Sequence, residues 1–499
     1  MSEAKKVLII GLDGVSWNVL NPMIENGYMS FLQDFIKKGK SGVLKSTEPP
    51  ITPTAWTSFQ TGLPPEVHKI MGFRNFFMKD GRLQTRFLSS SNLTAKKMWD
   101  ILSENCRKIC LLNVPLTYPP FTVNGILVSG FPIPSENCTF TYPEDFKDEL
   151  LKIIPDFQVM YTGIDAKQRG KRIEDIIDWW TNTVYQKANL ALYLLKRETW
   201  DVFMVHFQET DLLQHYLWHC ISKNHPEHNP DDFPKVAQFY LKLDNVLLKV
   251  ITEARNKGFA VLILSDHGFQ TCNCNFKANS WLFQKDYLVL NKSIKNVLIS
   301  VIKKTFDLPL LFKIRSQIKQ KKTTENIANQ FLKSVINYKK SVAFIEGNGT
   351  NVAFIYFFIK DTGIIKKILY ELNSLIFTGG YKIVRKINSI DNNNNIFKIV
   401  FNEGVVASGS IIPDDEPFFE TPKPFGMYHL GVHHGDGIII FDESIKHLKL
   451  SENIFDVPEI IMRLQDIPFT PLGGLKEIGG LTAKESNEIE NQLKGLGYL

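Results

Sequence analysis

Long apolar runs are missing from this chain of 499 residues. No uninterrupted hydrophobic stretch reaches the roughly 18–20 residues that span a bilayer. The first apolar run, VLII, has only the length of a strand and not that of an export signal's core. Cysteine is scarce as well: the six, at 106, 110, 138, 220, 272 and 274, show no disulfide framework and no paired CxxC spacing. A reduced, soluble, cytoplasmic protein is the expectation. Strong charge of one sign is also absent. A formal charge of +6 is mild at this length and gives no reason to expect nucleic acid as a partner. Internal repeats and low-complexity domains are lacking, since DNNNNI is a short turn.

What the chain does have is an ordinary globular composition, 44% hydrophobic and 22% charged, and enough length to bury a large core. Nearly continuous apolar runs recur at KVLIIGLD, KICLLNV, VFMVHFQE and FAVLILSD, as expected of parallel strands covered on both faces. Between them lie helical patterns: MSFLQDFIKKG, AWTSFQTG, AKKMWDILSEN, residues 173–196 and VAQFYLKLDNVLLKVITEARNKG. That alternation predicts a doubly wound, mostly parallel α/β sheet with helices on both faces. The pattern changes after NSWLFQKDYLVLN. Residues 291–420 read as an inserted α+β cap, and residues 1–290 and 421–499 as the core. In the cap, SVAFIEGNGTNVAFIYF reads as two strands around a turn, followed by a helix at IIKKILYELNSLI and strands near YKIVRKI and IFKIVF. Its first part is basic: Lys303, Lys304, Lys313, Arg315, Lys319, Lys321 and Lys322 face only Asp307. This reads first as a solvated helical face, with peripheral contact to an anionic membrane surface or a polyanionic substrate as the alternative. GDGIIIF returns to the core sheet, and the chain closes in an amphipathic helix with Thr482 as its N-cap.

Chemistry-bearing residues stand at the ends of the apolar runs. Asp13 follows VLIIGL, Asp211 follows VFMVHFQET, and Asp266 with His267 follows VLILS. Ligands of open α/β sheets bind outside the carboxyl ends of the strands, so three separate segments bring carboxylates to one edge. One such aspartate is ordinarily a turn or cap residue. Three of them, two with a histidine nearby, argue jointly for a site. Asp211 and His215 are four apart and share one face of a helix, a spacing that suits one metal ion. His219, one turn on, reads as a core or supporting residue, and His206, inside a strand, as a satisfied core residue. His433 precedes DGIIIF; for it to reach the same edge, that strand must run antiparallel. Only one of His433 and His434 can point inward, since successive side chains alternate faces. Thr52 stands among Pro49, Pro50 and Pro53 before AWTSFQTG. A hydroxyl at such a helix N-terminus faces unpaired N–H groups, a good phosphate site. Thr54 competes with it as the N-cap, and spacing alone leaves the two open.

Together these segments resemble the alkaline phosphatase superfamily, in particular the type I phosphodiesterase/nucleotide pyrophosphatase branch and its prokaryotic phosphohydrolase/phosphomutase-like members. LLNVPLTYPPFTVNGILVSGF, FQETDLLQHYLWH, SDHGF followed by NSWLF, and the closing LKGLGYL look like that group. The resemblance covers most of the chain and is weakest over 291–420. It implies that Thr52, counted back from the Thr-Gly pair, is the nucleophile. It also implies two divalent ions, zinc or manganese, one held by Asp211, His215 and His433, the other by Asp13, Thr52, Asp266 and His267.

The chain departs from the family in three places. The asparagine that nucleotide pyrophosphatases carry three residues after the nucleophile is Ala55 here, and the arginine of alkaline phosphatases is absent. Arg74, Asn75 and His434 are the candidates to replace them in substrate binding. The usual HGI tripeptide reads His68-Lys69-Ile70. No CxPxR-like sulfatase motif is present. The expected activity is phosphoric-ester hydrolysis of a phosphorylated small molecule or nucleotide, of diesters or pyrophosphates before monoesters, with Ala55 and Trp56 beside the ester's organic group. A phosphomonoesterase or phosphomutase on the same site is the rival enzyme, and a degenerate phospho-ligand-binding protein the rival of another class.

Overall fold

The computed structural model describes residues 5–159, 173–291, 336–347, 349–391, 395–409, 418–421, 430–473 and 481–496. An eight-stranded sheet carries the fold: β1 (Val7–Leu12), β2 (Lys40–Lys45), β3 (Ile109–Val114), β4 (Gly125–Ser129), β5 (Thr141–Tyr142), β6 (Val202–Phe207), β7 (Ala260–Leu264) and β8 (Asp436–Phe441). Their spatial order is β2-β8-β7-β1-β6-β3-β4-β5. The central strands β7, β1, β6, β3 and β4 are parallel. β8 runs antiparallel between β7 and β2, the direction that His433 requires.

The alternation of side chains along each strand builds two cores. Leu8, Ile10 and Leu12 of β1 enter one with Phe203, Val205, Val261 and Ile263. Val7 and Ile9 enter the other with Val202, Met204, Leu262 and Leu264. Both faces are therefore apolar, and each fully buried Val, Leu or Ile contributes roughly 1.5–3 kcal/mol. Helix α1 (Thr52–Thr61) covers the second face. Helices α2 (Ile173–Arg197), α3 (Glu209–Ile221) and α4 (Phe233–Asn256) cover the first. The four apolar runs read as strands are β1, β3, β6 and β7. The strand reading missed β2, an edge strand whose side chains are mostly half-exposed or exposed, because lysine-bearing edges lack the apolar signal.

A third core lies around a separate antiparallel sheet, in the order Ala343–Gly347, Val352–Phe357, Ile396–Phe401, Val384–Ser389. Helix Thr362–Asn373 packs on it through Ile365, Ile368 and Leu372. Leu83, Phe76 and Met78, from the hairpin Arg74–Lys79 with Arg82–Phe87, join the same core. Asn279 of NSWLF ties this sheet to the chain before it: its amide donates to the Ile345 carbonyl at 2.8 Å and accepts from the Ile345 N–H at 2.9 Å. The basic run from 303 to 322 lies outside the described residues. Thr482 caps the last helix reciprocally with Glu485, a capping box. Among the described residues no helix is long and apolar enough to cross a membrane.

Lys69 ends the short helix Pro65–His68 with φ at 62°, the left-handed region in which an L side chain is strained. This is the position where HGI has its glycine, so the departure puts an exposed lysine into a conformation glycine favours. Lys69→Gly is expected to stabilise the protein by about 1 kcal/mol, read as a raised Tm; an unchanged or lowered Tm refutes it.

Candidate metal centre

Seven side chains meet beyond the carboxyl ends of β1, β6 and β7, and all are buried: Asp13, Thr52, Asp211, His215, Asp266, His267 and His433. Asp13 directly follows β1, and its N–H donates to the Phe207 carbonyl at 3.1 Å, which prolongs the pairing of β1 with β6. Gly14 turns the chain with φ at +69°, and its N–H donates to Asp266 Oδ1 at 3.2 Å. A side chain at Gly14 would strike Phe269 at 2.6 Å, so this turn admits only glycine. Asp211 and His215 lie on α3, with Asp211 Oδ2 3.5 Å from His215 Nε2. His433 arrives on a separate antiparallel ribbon, Gly431–His434 against Gly268–Thr271. Thr52 opens α1, its Oγ1 3.2 Å from Asp13 Oδ1 and 3.4 Å from His267 Nε2.

The three imidazoles share one arrangement. His215 Nδ1 lies 3.3 Å from the Gly431 carbonyl, His267 Nδ1 3.2 Å from that of Gly268, and His433 Nδ1 2.9 Å from that of Pro50. A carbonyl only accepts, so each Nδ1 carries a proton, and in the neutral ring the lone pair then sits on Nε2. Those lone pairs converge. His433 Nε2 is 3.0 Å from His215 Nε2 and 3.2 Å from Asp211 Oδ1, and His267 Nε2 is 3.2 Å from Asp266 Oδ2 and 3.6 Å from Asp13 Oδ1. Acceptors facing acceptors in a buried site repel unless a cation lies between them, and backbone-anchored imidazoles beside carboxylates are the usual surroundings of a bound metal. Two groups could each hold an ion: Asp211, His215 and His433, and Asp13, Asp211 and His267. Asp211 belongs to both.

The charges give the same account. Burial, then the neighbouring carboxylates of Asp266 and Asp211, pushes Asp13 well above the ordinary carboxylate range, against the hydrogen bonds of Trp56 and Thr52. Asp266 is raised by burial, against the Gly14 N–H and with the charge of Asp211 adding to the rise. Burial, followed by the charge of His433, pushes His267 well down. Divalent cations would relieve the carboxylate repulsion, and a set of imidazoles and carboxylates suits zinc or manganese.

Three expectations need correction. Thr54 is not the N-cap: α1 begins at Thr52 with Ile51 as its cap residue, and the buried Thr54 Oγ1 has no hydrogen-bond partner. Trp56 does not face a substrate group, because its indole is fully buried and donates to Asp13 Oδ2 at 2.9 Å. His206 is more than a core residue: its Nε2 lies 2.9 Å from the same oxygen. A polar side chain at an inward position of an apolar strand was the signal for it. For Trp56 the signal was its spacing of four from Thr52, which places both on one helix face.

The contacts of the three substrate-binding candidates lead elsewhere. Arg74 lies over the Phe76 ring at 4.9 Å and within the field of Glu346. Asn75 donates to the Lys69 carbonyl at 2.9 Å. His434 points to the opposite side of the ribbon from His433, 3.9 Å from Glu403. Cys274 lies in a strand, and burial pushes its thiol up to about 12.

Protein isolated without chelator is expected to carry close to two equivalents of zinc or manganese by elemental analysis. His215→Ala and His433→Ala should each lose about one. Chelation should lower the Tm, because it exposes the buried carboxylates to one another. Full metal content in both variants would show that the imidazoles are not ligands.

No curated protein sequence matches the chain. The sequence model of the type I phosphodiesterase / nucleotide pyrophosphatase family matches residues 7–361. In fold, the chain is similar to phosphonoacetate hydrolase from Sinorhizobium meliloti 1021 in complex with phosphonoformate, at 14% identity and a TM-score of 0.57, over 93% of this chain and 96% of that one. It is also similar to the wild-type alkaline phosphatase PafA, at 13% identity and a TM-score of 0.51, over 94% and 97% of the two chains. With the family model matching most of its length, the chain belongs to the type I phosphodiesterase/nucleotide pyrophosphatase family and is a phosphohydrolase.

Proposed function

We propose that the protein is a two-metal phosphoric-ester hydrolase that works through a phosphothreonine intermediate on Thr52. The observation that carries this reading is the convergence of three imidazole Nε2 atoms and three carboxylates around one threonine hydroxyl. Asp211, His215 and His433 would hold one ion, and Asp13, Asp266, His267 and Thr52 the other. Asp211 Oδ1, 3.2 Å from His433 and 3.9 Å from His267, would face both. When bound, the ions supply positive charge for the phosphoryl oxygens and lower the pKa of the hydroxyl.

The chain's own residues do the rest. Thr52 Oγ1 lies within hydrogen-bond reach of Asp13 Oδ1, which holds the hydroxyl proton and turns a lone pair outward. As Thr52 Oγ1 bonds to phosphorus its proton passes to Asp13 Oδ1, the opposite ester bond breaks, and the leaving oxygen departs with the bonding pair and takes a proton from solvent. Water then attacks the phosphothreonine from that side and gives a proton to solvent, while Thr52 Oγ1 leaves with the bonding pair and recovers its proton from Asp13. The N-terminus of α1 adds a favourable dipole for the phosphoryl anion.

The preference for diesters or pyrophosphates rests on a partner that is missing among the described residues. A monoester presents one more charged oxygen. Ala55 is buried and offers it nothing, and the buried cation close by, Lys187, is held by Glu209 at 3.0 Å. Substrate selection falls in this reading to the inserted cap, residues 291–420. Lys398 and Arg385 of its sheet reach Glu48, four residues before Thr52, at 2.8 and 3.3 Å. The substrate is a phosphorylated small molecule or nucleotide, and the six free thiols support a reducing, cytoplasmic setting.

Thr52→Ala is expected to abolish turnover, by at least about a thousandfold in kcat, with the fold and at least one ion retained; Thr54→Ala should keep most of the activity. The reverse pattern would assign the nucleophile to Thr54. With p-nitrophenol as the common leaving group and the same metal, kcat/KM for a diester should exceed that for the monoester. A clear monoester preference would make the protein a phosphatase or mutase.

A further inference from the structure

Asp13 makes a second set of contacts that the proposed reaction does not use. Its Oδ1 faces Thr52 at 3.2 Å and His267 Nε2 at 3.6 Å. Its Oδ2 faces the other way and meets Trp56 Nε1 and His206 Nε2, each at 2.9 Å. Indole nitrogen only donates, and toward a carboxylate His206 Nε2 is a donor too. Both acceptor positions of Oδ2 are thereby taken by ring N–H groups, leaving Oδ1 as the oxygen that faces the site.

This pair of donors is built into the fold. The two rings meet edge to face, with centroids 4.8 Å apart and planes at 85°, and they stand over Gly11. A Cβ at Gly11 would come within 2.8 Å of both His206 and Trp56, so the glycine two residues before Asp13 gives the rings their seat. Trp56 is held further by Phe59, edge to face at 5.3 Å. His206 is held through its backbone: Lys187, on α2, donates from Nζ to the His206 carbonyl at 3.1 Å and to Glu209 Oε2 at 3.0 Å. Lys187 and Glu209 are almost completely buried. An ion pair so desolvated adds little net stability over an apolar pair; what it contributes is position, at the junction of β6 and α3 that also delivers Asp211.

We infer that His206 and Trp56 are positioning residues that make Asp13 a one-oxygen ligand. A free carboxylate can clasp a cation with both oxygens. With Oδ2 held by two N–H groups, Oδ1 alone is presented, and room beside it is kept for Thr52 Oγ1. Lys187 and Glu209 set the height of His206 along its strand. The inference rests on the two-metal reading above.

Zinc titration of the full-length protein against a competing chromophoric chelator separates the two. Trp56→Phe removes one donor and keeps the ring on Gly11 and Phe59; His206→Leu removes the other. Each should weaken binding of one ion by about ten- to a hundredfold and leave the ion at Asp211, His215 and His433 at wild-type affinity. In the same variants kcat on a diester should fall while KM stays near wild type. His206→Gln returns an N–H donor and should recover part of both the affinity and kcat, which a merely space-filling role would not require. Thermal unfolding of the metal-free proteins checks that the fold is kept; should His206→Leu fail to fold, Trp56→Phe and His206→Gln decide. Wild-type affinity for both ions in Trp56→Phe and in a folded His206 variant would overturn the positioning role while leaving the two-metal reading intact. A wild-type protein that binds no pair of ions would overturn both.

Discussion

His215 Nε2 and His433 Nε2 face each other at 3.0 Å with their protons committed to backbone carbonyls on the far side of each ring. In neutral rings the two lone pairs would repel at that distance, and a cation held between them would relieve the repulsion. The same holds for His267 against Asp266 and Asp13. Much of the surrounding architecture serves to maintain this unfavourable contact. Three parallel strands stop at one edge, a glycine turn brings Asp13 against Asp266, and an extra ribbon carries His433 in from the other end of the chain. Burial raises the acids and lowers His267, so the site stores an electrostatic demand for cations that the folded chain alone does not meet.

That demand can be imposed because the sheet beneath is rigid. Its two cores divide each central strand by parity, so a one-residue slip of β1 would exchange Leu8 and Ile10 with Val7 and Ile9 and turn Asp13 away from the edge. The apolar packing thus sets the register, and the register sets where the acids stand. Pro50 links the two levels. It lies in the proline-rich approach to Thr52, and its carbonyl anchors the His433 ring. The segment of the proposed nucleophile and a proposed ligand of the other ion are thereby tied together.

Behind the ligands lies a layer that pattern reading alone did not find. In the sequence His206 read as a core residue, because an imidazole in an apolar strand normally fills space, and Trp56 as a neighbour of the substrate's organic group. Their role shows in which atom of Asp13 they reach and in the absence of a side chain at Gly11. The departure at Lys69 also gains meaning from geometry: its φ of 62° is one that glycine adopts without strain.

The sequence by itself determined the sheet-and-helix alternation and pointed to seven side chains that the fold brings together. Apolar periodicity reports directly on burial, and acids placed at the ends of parallel strands share an edge by topology alone. The antiparallel direction of β8 followed from the same logic, because His433 could reach that edge in no other way. Only the tertiary structure decided that Thr52 and not Thr54 faces Asp13, that His433 rather than His434 turns inward, that Asp211 stands between both groups, and that Arg74 and Asn75 make their contacts elsewhere. These are choices of side-chain direction and proton position. They depend on carbonyls and rings supplied by residues up to 383 positions away in the chain, and no local pattern encodes partners at that distance.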